Sequence, residues 1–84
     1  MEKTFLIEVG QVVKAKAGRD IGGIFLVYKV LDESYVLIVD GKRRKLANPK
    51  KKKVKHLIIY KDRINLDVEN LNDSYIRKAL KPYN

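Results

Sequence analysis

Between Gln11 and Ala17 (QVVKAKA) the side chains alternate, with Val13, Ala15 and Ala17 on one face of an extended chain and Val12, Lys14 and Lys16 on the other. A period of two predicts a β-strand with one side buried. The next six residues, Gly18 to Gly23 (GRDIGG), hold three glycines and an aspartate. Gly18, Gly22 and Gly23 offer backbone conformations that other residues resist, so the chain is expected to reverse there. Ile24 to Leu31 (IFLVYKVL) and Tyr35 to Val39 (YVLIV) are β-branched, aliphatic and aromatic runs separated by Asp32-Glu33-Ser34. They predict a hairpin of two strands.

Asp40-Gly41 fits a two-residue type I′ turn, with Gly41 taking a positive φ, and the cationic stretch Lys42 to Leu46 is expected to follow as a strand paired with a core strand. Asn48-Pro49 breaks that strand, the four lysines Lys50 to Lys53 read as a loop, and His56 to Tyr60 (HLIIY) resumes the β pattern. Beyond Tyr60 the period changes. Asn72-Asp73-Ser74 supplies capping side chains, and Ile76, Ala79 and Leu80 follow at helical spacing up to Pro82. A helix of about eight residues is marginal by itself and must dock to persist. The expected class is mainly β, with about five strands and a short C-terminal helix. Residues 1–62 form the β unit, and 63–84 a C-terminal extension of the same domain.

Eighty-four residues suffice for one hydrophobic core and not for two. With 45% hydrophobic residues the chain is expected to fold despite its 35% charged fraction. There is no cysteine, which excludes disulfides and thiolate metal sites and leaves the cytoplasm as the expected compartment. The apolar runs fall far short of the roughly 20 residues that span a bilayer. Met1 to Glu8 has an acid near each end and does not read as a signal peptide. Without one, the glycosylation pattern at Asn72-Asp73-Ser74 reads as a cap.

Charge changes the picture most. Lys42, Arg43, Arg44, Lys45, Lys50, Lys51, Lys52, Lys53 and Lys55 are nine cations in fourteen residues with no acid among them, and the other seventy residues carry ten bases and ten acids. The entire net charge of +9 therefore sits in one segment. A lysine run alone is often a solvated loop. Nine like charges repel one another, however, and a bound polyanion relieves that repulsion, so nucleic acid is the favoured partner.

Catalytic chemistry finds little material. His56 is the one histidine, without the second histidine or cysteine that an imidazole triad or metal site needs, and it reads as a strand-start residue or a minor phosphate contact. Gly18 and Gly23 have the glycine spacing of a phosphate-binding loop, but Ile24-Phe25 stands where Lys-Ser/Thr is required. The acids are scattered, and the close pairs Asp32-Glu33 and Asp67 with Glu69 read as solvated turns. No enzyme activity, cofactor or metal is expected.

The segment from Gly10 to Val30 (GQVVKAKAGRDIGGIFLVYKV) resembles the KOW motif of ribosomal proteins and transcription elongation factors. In that family an alternating strand leads to a near-invariant glycine, matching Gly18, then a short loop with a second glycine, matching Gly22, and an apolar strand. The continuation, Val39-Asp40-Gly41 with Arg43, Arg44, Lys45 and a basic stretch, looks most like large-subunit ribosomal proteins of the archaeal and eukaryotic fourteen-e type. The resemblance covers about Val9 to Tyr60. It implies an SH3-like barrel that contacts ribosomal RNA through the Gly18 loop and basic loops, so that Lys14, Lys16 and Arg19 join the Lys42 to Lys55 patch. Ribosomal proteins are the other implied neighbours, and the free chain is expected to be monomeric.

Two other readings compete. The elongation-factor resemblance allows a protein-binding KOW module. An anionic membrane surface needs only the lysines, but no lipidation motif or amphipathic helix with a large apolar face supports it. Base stacking on single strands lacks aromatics, because Phe25, Tyr28 and Tyr35 are core-like and only Tyr60 and Tyr83 are candidates.

Overall fold

The computed structural model describes residues 7–66 and 71–84, with the sequence features Met1 to Leu6 and Asp67 to Asn70 lying outside the described residues. Five strands form one antiparallel sheet: β1 (Gln11–Ala15), β2 (Ile24–Val30), β3 (Tyr35–Val39), β4 (Lys50–Lys53) and β5 (Leu57–Arg63), in the order β4-β3-β2-β1-β5. β4 and β5 lie at opposite edges, yet a single 3₁₀ turn, Val54–His56, joins them. A flat five-stranded sheet separates its edges by roughly 19 Å, whereas three 3₁₀ residues advance about 6 Å. The sheet must roll until its edge strands converge at this turn, and the result is an SH3-like barrel.

The interior holds Val13, Ala15, Phe25, Val27, Val36, Ile38 and Leu57. The outer face is also covered. Val12, Ile24, Leu26 and Val39 pack there against Ile76 and Leu80 of helix α1 (Asp73–Leu80). This corrects the expectation of one buried side for β1: Val12 and Val13 are both fully buried, because the helix roofs the face that alternation assigns to solvent. Asn72 caps α1 by accepting the Tyr75 N–H at 2.8 Å, and the Tyr75 hydroxyl donates to the Asn65 carbonyl at 2.8 Å. The short helix is held by burial and by these tethers rather than by its own propensity.

The basic segment is arranged the other way round from the sequence expectation. Lys42 to Leu46 is not a strand, and Lys50 to Lys53 is not a loop: the lysines are β4, paired with β3 in the register Ile38–Lys50, Leu37–Lys51, Val36–Lys52 and Tyr35–Lys53. Asp40 explains the exchange. Its carboxylate accepts from the backbone N–H of Lys42 and of Arg44, each at 2.9 Å, while the N–H groups of Asp40 and Gly41 both donate to the Arg44 carbonyl. These bonds consume groups that a ladder would use. Nor is the turn of type I′, since Gly41 has φ +79° but no described non-glycine residue has a positive φ. After Pro49 the chain is free to extend, and alternation then exposes Lys51 and Lys53 while turning Lys50 and Lys52 inward.

Candidate nucleic-acid interface

Two contacts gather the cationic segment around the Gly18 to Gly23 loop. On one side Lys52, only 7% exposed, lays its aliphatic stem along the barrel and donates from Nζ to the Ala17 carbonyl at 2.8 Å. The same amine stands 2.9 Å from where a Gly18 Cβ would be, but a lysine tip can shift, so it is the backbone conformation at φ +86° that favours glycine there. On the other side Asp20, 2% exposed, pairs with Arg44 at 3.1 Å and with Arg43 at 3.5 Å. The loop is thereby clamped between β4 and the Lys42 to Leu46 turn.

The sequence-derived site residues separate into groups. Lys16, Arg19, Lys42, Arg43, Lys45, Lys51, Lys53 and Lys55 are exposed. Lys14 and Lys50 are half-buried, Lys14 in mid-β1 opposite Ile24 and Ile58. Arg44 and Lys52 point inward and hold the loop. Lys51 Nζ lies 4.6 Å from the centroid of the Tyr35 ring, a cation–π contact that orders the side chain without neutralising it. Lysines along β4 also blunt a sheet edge, which discourages strand addition.

His56 reports the local potential. Its half-buried ring has a pKa below the ordinary 6.5, first because desolvation disfavours the charged form and then through repulsion from Lys53, Lys55, Lys52 and Lys16. Lys16 is held beside it by its N–H donating to the His56 carbonyl at 2.9 Å. A lowered folded-state pKa means that the unfolded chain takes up the proton first. The His56 contribution is therefore fully present above pH 6.5 and is lost as pH falls through the folded-state value. An NMR titration of the ring should show a midpoint below 6.5, and Lys53→Gln with Lys55→Gln should raise it. An unmoved midpoint would show that these cations do not act on the ring.

Sequence reasoning missed Asp20, which reads as a turn residue within GRDIGG but is a buried counter-charge. It also missed Arg77 and Lys81 of the C-terminal region, which line a groove of about 650 Å³ together with Lys42 and Arg43. An isolated acid between two glycines, in a chain whose distant cationic segment holds no acid of its own, was the available signal for Asp20. None existed for Arg77 or Lys81. Tyr60 and Tyr83 are not free for stacking on bases: their rings pack on each other at 6.0 Å in the outer cluster, and the Tyr83 hydroxyl donates to Asp62 at 2.6 Å. Among the described residues no helix is long and apolar enough to cross a membrane, and no cluster of three or more histidine and acidic side chains is placed to hold a metal ion.

No protein-family model matches the chain. Over 80 residues it is 29% identical to the large ribosomal subunit protein eL14 of Hyperthermus butylicus, a match covering 89% of this chain and 76% of that protein. This similarity supports a relationship to ribosomal proteins.

Proposed function

We propose that the chain is a non-catalytic RNA-binding protein of the ribosome, a KOW-type barrel that contacts ribosomal RNA through β4, the Lys42 to Leu46 turn and the Gly18 loop. One observation carries the reading: three stretches of chain leave eight cations exposed, and two of these stretches are fastened to the Gly18 to Gly23 loop by the internal contacts of Lys52 and Arg44. Prior clamping matters because ordering a free lysine side chain or loop on binding subtracts from affinity. The similarity to a ribosomal protein supplies the class of RNA. The implied compartment is the cytoplasm, with other ribosomal proteins as neighbours and a monomer when free.

Contacts of this kind fall mostly on phosphate and sugar, so affinity depends strongly on salt and weakly on sequence. If about five phosphates are engaged, the plot of log K against log salt has a slope of roughly −3 to −5. The triple variant Lys51→Gln, Lys53→Gln, Lys55→Gln should flatten that slope by about 2 to 3. Lys52→Gln should leave it unchanged while lowering stability by about 1 kcal/mol, since it removes an internal hydrogen bond rather than a phosphate contact. An unaltered slope in the triple variant would remove β4 from the interface. Crosslinking in cells should recover large-subunit ribosomal RNA. Recovery of protein partners that survive ribonuclease, without that RNA, would favour a protein-binding module instead.

A further inference from the structure

A groove of about 650 Å³ runs between the Gly18 to Gly23 loop, the start of the Lys42 to Leu46 turn and the C-terminal end of α1. Its size lies within the range of sites that enclose small ligands. Four cations border it: Lys42 and Arg43 on one wall, Arg77 and Lys81 on the other. Asp40 is the one acid in the lining, and its carboxylate already accepts two backbone N–H groups. Among the described residues, Lys42, Arg77 and Lys81 form no ion pair. Arg77 is aimed by an N–H donated to the Gly41 carbonyl at 2.8 Å, which leaves the rest of its guanidinium available.

The remaining wall is apolar and thin. Ile21 stands 65% exposed at the rim, the most exposed large hydrophobic residue among those described. Beside it Gly22 has φ +88° and nothing within 4 Å of where its Cβ would be, so a flat group can approach the peptide closely. Cations facing an aliphatic and backbone surface match the two halves of a nucleotide, whose phosphates seek the charges and whose base seeks the apolar wall. A continuous duplex keeps its base faces stacked and offers this groove phosphates and sugar hydroxyls but no free base face.

We infer that the groove receives one unpaired nucleotide of the bound RNA, with its base against Ile21 and Gly22 and its flanking phosphates on Lys42, Arg43, Arg77 and Lys81. The inference rests on the RNA-binding reading and deepens it, adding a readout of RNA shape to the salt-dependent contacts of β4. Arg77 and Lys81 come from outside the cationic segment, so the site forms only once α1 has docked.

The test compares the full chain on a continuous RNA duplex with the same duplex carrying a single bulged nucleotide, made with each of the four bases. Wild type should prefer at least one bulged duplex by about fivefold to tenfold. The double variant Ile21→Ser, Lys81→Gln changes exposed positions and should abolish the preference while weakening the continuous duplex by no more than about twofold to threefold. Equal wild-type affinity for all the RNAs, or an equal loss on bulged and continuous duplex in the double variant, would overturn the groove. In that event sensitivity of both to the β4 triple variant would leave the RNA-binding reading standing. Failure of wild type to bind any of them would overturn both.

Discussion

Replacing Arg44 with alanine is expected to lower folding stability by about 3 kcal/mol, although a basic residue in a cationic segment would ordinarily be counted as a surface contact. Asp20 is 2% exposed, and its strong partner is Arg44 at 3.1 Å, itself 27% exposed. Deleting Arg44 leaves a carboxylate buried with Arg43 at 3.5 Å, whose side chain is 70% exposed and largely screened by water. Arg43→Ala should accordingly cost less than about 1 kcal/mol. Urea denaturation separates the two variants, and equal costs would show that Asp20 does not act through Arg44. The double variant Asp20→Asn, Arg44→Met should recover part of the loss, because it removes both charges instead of stranding one. For RNA binding the order reverses. Arg43→Ala should weaken affinity directly, while Arg44→Ala should act by loosening the Gly18 loop against the Lys42 to Leu46 turn.

Gly41→Ala is expected to cost about 3 kcal/mol or more. The left-handed conformation at φ +79° costs a side chain roughly 1–2 kcal/mol by itself. A Cβ at this position would also overlap the carbonyl oxygen of Asp73, and it would meet Cγ of Arg77 at 3.0 Å. Backbone cannot yield as the tip of a lysine can, so α1 must shift off the sheet. That shift breaks the Arg77 bond to the Gly41 carbonyl and the bond from the Leu46 N–H to Asp73 at 2.9 Å. Gly22→Ala is the control: its φ is equally positive, but space above it is open, and it should cost only the conformational part, about 1–2 kcal/mol. Amide exchange in α1 should accelerate in Gly41→Ala and not in Gly22→Ala. Equal exchange in both would mean that the turn and the helix are not coupled through this contact.

Local chemistry made much of the fold legible. Alternation located β1, apolar β-formers located β2 and β3, and Asp32 closes their hairpin by accepting from the N–H groups of Ser34 and Tyr35, both at 2.8 Å. Asn72 and the spacing of Ile76 and Leu80 located the helix. The lysines were misread because β-propensity disfavours Lys in strands, while Lys42 to Leu46 followed an apparent hairpin turn. Propensity weighs a residue against an average environment. Here Asp40 closes the turn through its own side chain, and Lys52 reaches a carbonyl thirty-five positions earlier in the chain. The second term is invisible in any window of neighbouring residues, and the first competes there with an ordinary hairpin turn.

By itself the sequence determined a mainly β chain, its principal strands and helix, the concentration of all net charge between Lys42 and Lys55, and the glycine turn at Gly18. These depend on period, composition and backbone conformation, which are properties of adjacent residues. Tertiary structure decided which cations are exposed and which are structural, that Asp20 ties the glycine loop to the Lys42 to Leu46 turn, and that α1 covers Val12 while bringing Arg77 and Lys81 to the groove. Each of these depends on which distant side chains share a space once the sheet has rolled. Burial and electrostatic pairing are set by distance through space, and separation along the chain carries almost none of that information.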